Sequence, residues 1–323
     1  MRYSAKHRPF LLHQILNKRT DEEHSLSTTE IIGILQDEFG LRSHRQTIYD
    51  DIRVLQELGV DIICERHKEN HYRIVNRQFE TSELKILIDA VESSKFITQK
   101  KSQTIVGKIV GLASGYEADL LKRNLLVDGR IKQDKESVLY TVDAINQAIN
   151  EKKKISFTMD DYDLQCRRVP HRDGEVYVFS PYTLVWDGDF YYVVGWSEKY
   201  EKIVSHRVDR ISHDPQILEE TAHQIPKDFD ANRYINSMFR MYDAPRRRVS
   251  LICENSVINS IVDKFGKKAL LTPVDEDHFR LEQEITVGSV FYGWIFGFGG
   301  KVQIERPRDV REAYREMVEK AGV

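Results

Sequence analysis

Two groups of basic, polar and aromatic residues in this sequence have side chains that suit nucleic acid. The first group lies near the N-terminus and begins with Ser43, His44, Arg45, Gln46 and Thr47. An arginine can donate two hydrogen bonds to guanine and a glutamine can pair with adenine, whereas hydroxyl groups and histidine suit phosphates or bases. We expect this run to contact DNA, together with two further residues on the same helical face, Tyr49 and Arg53.

The second group lies far downstream and combines arginines with histidines, a hydroxyl group and tyrosines. It contains Arg167-Arg168, His171-Arg172, Ser180-Pro181-Tyr182, Tyr191-Tyr192 and His206-Arg207-Val208-Asp209-Arg210. Arginine binds phosphate oxygens and tyrosine rings stack on bases, so this group is suited to a nucleotide or a single strand. A second interpretation stays open, in which the arginines pair with aspartates in a solvated network and the tyrosines pack the core. Those aspartates are Asp160, Asp161, Asp163 and Asp209.

The elements that position the first group are two short helices and a hairpin. Ser27 with Glu30 predicts a capping box at the start of one helix, and Gly40 predicts its end. Ser43 with Gln46 predicts a second capping box, in which Ser43 begins the next helix. A hairpin over residues 60–75 follows, with Arg66 and Lys68 at its basic tip, and an earlier helix contains Phe10, Leu11 and Ile15. Residues 1–78 therefore resemble a winged helix-turn-helix DNA-binding domain.

The rest of the chain predicts an α+β, multidomain protein. Residues 79–138 have helical apolar spacing, which predicts a helical connector. Residues 139–215 predict a helix and about five short strands, which indicate a small β-barrel. These include strands around Ile155, from Phe190 and over residues 203–211, with a hairpin turn at Asp187-Gly188-Asp189. Residues 216–245 indicate a linker with one short helix around residues 232–238. Residues 246–323 follow a βαββαβ order, which is ferredoxin-like in outline.

Composition bounds the class of protein. The formal net charge is −3, and up to residue 78 the Lys and Arg residues equal the Asp and Glu residues in number, so DNA affinity must come from local patches. Asp50 lies on the expected DNA-contacting face. The three cysteines are far apart, which indicates neither a disulfide scaffold nor a zinc site. No secretion signal, membrane span, metal cluster, cofactor loop or catalytic motif is evident, so we expect a cytoplasmic protein without a cofactor.

Several runs of residues resemble the WYL-domain family of transcriptional regulators. They are Ser180–Trp186, Phe190–Trp196 and His206–Ile211, with Thr47–Gly59 and Trp294–Pro307 in the flanking segments. The sequence departs from the family where Tyr191-Tyr192-Val193 replaces Trp-Tyr-Leu and where Asp50 stands in place of an arginine. The resemblance implies a bacterial regulator that forms a homodimer, with a winged helix-turn-helix, an Sm-like SH3-type β-barrel and a C-terminal extension.

The resemblance also implies which residues bind a nucleic-acid or nucleotide-like effector. By position they are Arg168, Ser180, Tyr182, Tyr191, His206, Arg207 and Arg210. We therefore expect a sequence-specific regulator that binds an inverted-repeat operator in double-stranded DNA and whose affinity changes with the effector. One alternative is an accessory protein that binds single-stranded nucleic acid without controlling a promoter, and a more remote one is an enzyme.

Overall fold

A computed structural model of the chain describes residues 3–123, 132, 138–213, 215–227, 229–230, 234 and 244–322. The chain divides into two compact units, Met1–Glu136 and Ser137–Val323.

The first unit begins with three helices, α1 (Arg8–Arg19), α2 (Thr28–Phe39) and α3 (Arg45–Glu57). The predicted capping box of α2 is present, because the N–H of Glu30 donates to Ser27 Oγ at 3.2 Å and the N–H of Ser27 donates to Glu30 Oε2 at 2.7 Å. Gly40 ends α2 with a φ of 66°, a left-handed conformation that glycine adopts without strain.

The predicted start of α3 is wrong. His44 is the N-terminal cap, with φ of −109° and ψ of 155°, and no side chain caps the helix. The side chain of Gln46 does not turn back to the helix start but donates to Asp50 Oδ1 at 3.3 Å. Ser43 Oγ is buried and has no hydrogen-bond partner among the described residues. The Ser43–Gln46 capping box therefore does not form.

A three-stranded sheet packs against these helices. The predicted hairpin consists of β2 (Ile62–Arg66) and β3 (Asn70–Ile74), and a two-residue strand β1 (Leu26–Ser27) pairs with β3, which gives the order β1-β3-β2. The buried side chains of Leu12, Ile31 and Ile48 meet in one apolar core under the sheet. The predicted three helices and hairpin are thus present, and the core fixes their arrangement.

Three more helices complete the described part of the first unit: α4 (Thr81–Ser93), α5 (Gln99–Val110) and α6 (Gly115–Arg123). Their apolar faces share a second core that includes Leu84, Val106 and Leu121. Buried polar contacts also tie them to the N-terminal helices, because Ser114 Oγ donates to Asp21 Oδ2 at 2.8 Å. The helical character predicted for residues 79–138 is therefore confirmed over these helices, and residues 124–131 and 133–137 lie outside the description.

The second unit opens with α7 (Val138–Glu151) and a five-stranded sheet. Its strands are β4 (Lys153–Phe157), β7 (Tyr177–Asp187), β8 (Phe190–Ser197), β9 (Lys202–Arg207) and β10 (Gln216–Thr221). They lie in the order β10-β4-β7-β8-β9. The prediction of a barrel is corrected here, because no ladder joins the edge strands β9 and β10 within the described residues. A single bridge between Met159 and Ile211 links the segments that follow β4 and β9.

The ends of these strands differ from the prediction in two further places. The fifth strand, β10, lies in the segment predicted as a linker, because it pairs with β4 through Ile217 and Ile155. A hairpin of β5 (Asp160–Tyr162) and β6 (Arg168–Pro170) also interrupts the sheet. The helix predicted around residues 232–238 lies outside the described residues except for Tyr234.

The C-terminal part of the second unit follows the predicted order. It consists of β11 (Arg246–Glu254), α8 (Ile258–Phe265), β12 (Leu270–Pro273), β13 (His278–Thr286), α9 (Ser289–Phe296), β14 (Val302–Arg306) and α10 (Arg308–Lys320). The sheet order is β12-β13-β11-β14, and all neighbouring strands are antiparallel. This is the arrangement that a βαββαβ chain produces when both helices cover one face.

Candidate nucleic-acid interface

Three arginines of the second unit gather around one tyrosine and one aspartate. We call Arg168, Arg207, Arg210, Tyr162 and Asp209 the arginine cluster. The hairpin supplies Arg168 and Tyr162 as directly paired residues of β6 and β5, and β9 supplies Arg207 as its last residue. A 3-10 turn over Val208–Arg210 then ends the strand and carries Asp209 and Arg210. The strand predicted over residues 203–211 therefore stops early, and this turn brings Arg210 to the hairpin.

Distances within the arginine cluster show how close the cationic groups lie. The guanidinium carbons of Arg168 and Arg210 are 5.4 and 5.2 Å from the centroid of the Tyr162 ring, which is the range of a cation–π contact. Arg168 Nη1 also donates to the backbone carbonyl of Asp209 at 3.1 Å. Tyr162 is 43% exposed, so the ring faces solvent between the two cations and their carboxylate partners.

Asp209 holds Arg207 in a bidentate ion pair. Arg207 donates to its carboxylate through Nη2 at 2.7 Å and through Nε at 3.1 Å. The Asp209 side chain is only 3% exposed and the Arg207 guanidinium lies 3.6 Å from the centroid of the Phe190 ring. Burial by itself lowers the pKa of Arg207, but the hydrogen bonds and the charge of Asp209 outweigh it and raise the pKa overall. Arg207 is thus locked in place by a buried carboxylate.

The other arginines also have carboxylate partners, as the second interpretation of the sequence predicted. Arg168 Nη1 lies 3.5 Å from Asp160, Arg210 Nη1 lies 3.4 Å from Asp161, and Arg167 Nη2 lies 2.8 Å from Asp163. The first two contacts are longer than a good charge-assisted hydrogen bond, which lies near 2.7–2.9 Å. The contact of Arg210 with Asp161 is therefore weaker than the ion pairs of Arg207 and Arg167.

Two of the predicted effector residues do not join the arginine cluster. Ser180 is fully buried and its Oγ accepts a hydrogen bond from the N–H of His223 at 2.8 Å. The Tyr182 hydroxyl contacts His223 Nδ1 and donates to the carbonyl of Gln224, both at 3.2 Å, and burial raises its pKa. Both residues hold the segment after β10 against the sheet. The structure thus places both residues apart from the arginine cluster, and their contact with an effector stays a prediction.

His206 and Tyr191 lie on the opposite face of the sheet from Arg207. Successive residues of a strand alternate between faces, so the neighbour of Arg207 must point away from it. The His206 ring packs between Phe157, Tyr177 and Phe179 at centroid distances of 5.4, 5.6 and 5.2 Å. Tyr191 meets Trp186 edge-on at 4.7 Å. The structure places these two residues in aromatic packing, away from the arginine cluster.

Sequence reasoning missed Tyr162, the residue at the centre of the arginine cluster. A signal was present, because the runs Asp160-Asp161-Tyr162 and Arg167-Arg168 flank a short polar turn and match the two sides of a hairpin. In such a hairpin the last residue before the turn pairs with the first residue of the returning strand, which places Tyr162 beside Arg168.

The first unit presents its own basic surface at the start of α3. The side chains of Arg45 and Arg53 are 63% and 69% exposed, and His44 and Gln46 are exposed as well. Thr47 is half-buried, whereas Ser43 is turned inward and Tyr49 packs against the core. Of the predicted DNA-contacting residues of α3, four are therefore presented to solvent and the other three are partly covered.

The hairpin tip lies beside the start of α3. Glu69 accepts a hydrogen bond from Thr29 Oγ1 at 2.6 Å and lies 3.9 Å from Arg45 Nη2, and these contacts lower the pKa of its carboxyl. Arg66 and Lys68 are exposed at the same tip. The start of α2, the start of α3 and the tip thus meet at Glu69 and form one surface. The exposed basic or amide side chains in these segments include His44, Arg45, Gln46, Arg66 and Lys68.

Asp50 also lies on this surface but is not isolated. Its Oδ1 accepts hydrogen bonds from Gln46 at 3.3 Å and from Arg53 at 3.4 Å. The carboxylate therefore offsets part of the positive charge and engages two of the residues expected to contact DNA.

Neither a metal site nor a membrane-spanning helix is found among the described residues. No group of three or more His, Cys, Asp or Glu side chains in the described ranges is placed to bind a metal ion. In the same part of the chain, no helix has both the length and the apolar character needed to cross a membrane.

Comparison with known proteins identifies the second unit. Residues 140–214 match the WYL domain and residues 245–322 match the WCX domain. Among solved structures, proteasome accessory factor B/C (PafBC) of Arthrobacter aurescens is similar at 17% identity and a TM-score of 0.29, over 96% of this chain and 45% of that chain. A CRISPR Cas-related protein is similar at 13% identity and a TM-score of 0.38, over 99% of this chain and 80% of that one.

These TM-scores are too low to establish a common fold over the whole length. The chain also spans less than half of the PafBC chain that it matches. No curated protein matches the sequence. The arginine cluster lies within the first matched segment and the four-stranded sheet lies within the second, so the chain carries a WYL domain followed by a WCX domain.

Proposed function

We propose that the protein is a transcriptional regulator whose WYL domain binds a phosphate-bearing, nucleotide-like or single-stranded ligand at the arginine cluster. The observation that carries this proposal is the convergence of Arg168 and Arg210 on the exposed ring of Tyr162. An arginine binds phosphate oxygens bidentately, and an exposed tyrosine ring is a stacking surface for a base. The two functions that one nucleotide requires therefore lie side by side.

The ligand has to compete with the carboxylates for the arginines. Arg210 holds Asp161 at 3.4 Å, which is longer than a good charge-assisted hydrogen bond, so exchanging this contact for a closer phosphate oxygen costs little. Arg207 instead keeps Asp209 in position, and the backbone carbonyl of Asp209 orients Arg168. We assign ligand binding to Arg168 and Arg210, and a supporting role to Arg207.

The first unit is proposed to act as a winged helix-turn-helix that binds duplex DNA. In that class the front of the second helix of the motif enters the major groove, and here Arg45 is exposed at the front of α3. The hairpin tip with Arg66 and Lys68 is adjacent, as a wing that contacts the backbone would be. The homodimer and an inverted-repeat operator complete this proposal.

The ligand half is tested with a fluorescein-labelled single-stranded oligonucleotide and the full chain, by fluorescence anisotropy. Arg168→Ala with Arg210→Ala should weaken binding by about tenfold or more, because each charge-assisted hydrogen bond contributes about 1.5–3 kcal/mol. Arg167→Ala is the matched control, since Arg167 is the neighbouring arginine but is 74% exposed and paired with Asp163. Equal affinity of the double variant and the control would refute the assignment.

The DNA half is tested by selecting genomic fragments on the purified chain and sequencing them. A regulator should enrich a few related inverted repeats, and Arg45→Ala should lose that enrichment while the anisotropy of the oligonucleotide is unchanged. Enrichment without a common sequence would instead favour an accessory protein that binds single strands. The observation that favours this second function is that Asp50 accepts hydrogen bonds from Gln46 and Arg53, two of the residues expected to contact duplex DNA.

A further inference from the structure

A second candidate ligand site lies within the first unit, far along the sequence from the arginine cluster. A groove of about 1060 Å³ opens between α1 and the helices α4, α5 and α6. Apolar side chains of Ile15, Val106 and Val110 line it. Pockets that bind small molecules have volumes of roughly 300–1,000 Å³ and mainly apolar walls with a few polar groups, so this groove has the size of a ligand site.

Glu92 is the polar group that distinguishes this groove. It lines the groove from α4 and is only 6% exposed. Among the described residues no side chain or backbone group forms a hydrogen bond or an ion pair with its carboxyl group. Its oxygens are not among the described side-chain atoms that are fully buried without a partner, so the carboxyl group faces the open space of the groove and is accessible to a ligand.

The other acidic groups of the groove already have partners at its rim. Glu38 pairs with Arg19, and Asp119 pairs with Lys122 at 3.6 Å. Lys18 is exposed at the same rim and is solvated. Among the described lining residues, the acidic side chain without an ion pair is therefore Glu92, although the protein's own Lys132 lies near its backbone and donates to the carbonyls of Val91 and Ser94.

The part of the lining that α5 contributes leaves room for a ligand. Gly107 on α5 lines the groove, and a Cβ added there would meet no atom within 4 Å. At one end the space closes, because a Cβ at Gly115 would lie 3.1 Å from the carbonyl oxygen of Lys18. The open volume thus lies beside α5, where a ligand body can be accommodated.

We propose that this groove binds a small organic amine, whose protonated nitrogen pairs with Glu92 and whose apolar body packs on Ile15, Val106 and Val110. A protonated amine provides the charge and the donors that the buried carboxyl group lacks, and the apolar wall binds the carbon chain. This site uses none of the residues of the arginine cluster, so it stands whether or not the proposed effector site does.

The test uses 1-hexylamine as the probe and 1-hexanol as its uncharged counterpart, both titrated into the full chain. Binding is followed by methyl NMR of Val106 and Val110, which reports the location as well as the affinity. Hexylamine should shift these methyl signals saturably, and Glu92→Gln should weaken its binding by about tenfold or more because a charged hydrogen bond is lost. Hexanol should bind the wild type and Glu92→Gln equally weakly. Asp89→Asn, an exposed acidic position on the same helix, is the matched control and should bind like the wild type.

A second variant keeps the test independent of Glu92. Gly107→Leu fills the groove from a position with free space, so the chain should fold and no longer bind hexylamine. Equal hexylamine affinity in the wild type and Glu92→Gln would overturn the proposal. So would unchanged binding in Gly107→Leu, or the absence of saturable methyl shifts in the wild type at millimolar probe.

Discussion

At the scale of single residues, Arg207 is the part of the arginine cluster whose removal should affect folding most. Its bidentate partner Asp209 is 3% exposed in its side chain. Arg207→Ala removes two charge-assisted hydrogen bonds from that buried carboxylate, so we expect the free energy of unfolding to fall by about 1–3 kcal/mol. Urea denaturation measures this change. Arg210→Ala, whose carboxylate partner Asp161 is 52% exposed, is the control and should change stability by less than about 1 kcal/mol.

Similar losses in both variants would contradict this division of roles.

The division itself could not be predicted from the sequence, in which Arg168, Arg207 and Arg210 are equally good candidates for effector binding. Residue types and strand alternation predict that Arg207 and His206 face opposite sides, but not that Asp209 is buried. That burial depends on the 3-10 turn after β9. The sequence over residues 203–211 has a strand-like pattern, so it does not predict this turn.

A second residue-scale prediction concerns the WCX domain and pH. Glu305 accepts hydrogen bonds from Arg280 at 2.9 Å and from Ser250 at 2.6 Å, and these contacts lower the pKa of its carboxyl to about 2. A carboxyl whose pKa is depressed in the folded state stabilises the fold above its unfolded pKa of about 4.3 and loses that contribution as pH falls toward its folded pKa. We expect Arg280→Gln to raise the titration midpoint of Glu305, measured by carboxyl carbon NMR.

The matching stability measurement compares the wild type with Glu305→Gln at several pH values. The difference in unfolding free energy should be constant above pH 5 or so and should shrink as pH falls from about 4.3 toward the folded value. A difference that stays constant down to acid pH, or an unchanged midpoint in Arg280→Gln, would mean that the Arg280 contact does not set the pKa.

At the scale of elements, the two helix starts of the first unit offer a matched comparison. Ser27 caps α2 through Glu30, whereas Ser43 caps nothing and its hydroxyl is buried without a partner among the described residues. Ser27→Ala should therefore lower the free energy of unfolding by about 1 kcal/mol. Ser43→Ala should leave stability unchanged or raise it slightly, because it removes an unsatisfied polar group. Thermal or urea unfolding of the two variants checks both values.

Equal destabilisation by the two substitutions would show that Ser43 does cap α3. The pair also shows where sequence patterns are sufficient. Ser27–Glu30 and Ser43–Gln46 match the same motif, but His44 takes the extended cap conformation and Gln46 bonds to Asp50. A motif predicts which side chains are able to cap a helix, while packing and competing hydrogen bonds decide whether they do.

The β elements illustrate the same limit over longer distances. Alternating apolar residues predicted the strands around Ile155, Phe190 and Ile203, and the Asp187-Gly188-Asp189 turn predicted the β7–β8 hairpin. The exposed and acidic strand β10 has little apolar alternation, so its pairing with β4 was missed. Closure of a sheet depends on such edge pairings, which is why a barrel was expected and an open five-stranded sheet is observed.

At the scale of the whole molecule, charge is organised locally. The chain has a formal net charge of −3, yet the exposed basic side chains at the start of α3 and at the hairpin tip lie together. Bulk charge alone would repel DNA, and added salt would screen that repulsion and raise the affinity. Local contacts between basic side chains and phosphates give an affinity that falls as salt is added. Each contact releases counterions from the DNA, and a higher salt concentration makes that release less favourable. The sign of the salt dependence therefore separates the two descriptions.

We expect the affinity of the full chain for duplex DNA to fall steeply as salt is raised, with a linear plot of log affinity against log salt concentration. Lys68→Ala should make that slope shallower by about 0.9 for each phosphate contact that it removes. Asp50→Asn should raise the affinity at every salt concentration, because it frees Gln46 and Arg53 from a competing carboxylate at 3.3 and 3.4 Å. Fluorescence anisotropy of one labelled duplex measures the affinity of the wild type, Lys68→Ala and Asp50→Asn at each salt concentration. A flat or rising dependence in the wild type would exclude α3 and the hairpin tip as a DNA-binding surface. An unaltered slope in Lys68→Ala would exclude the tip alone.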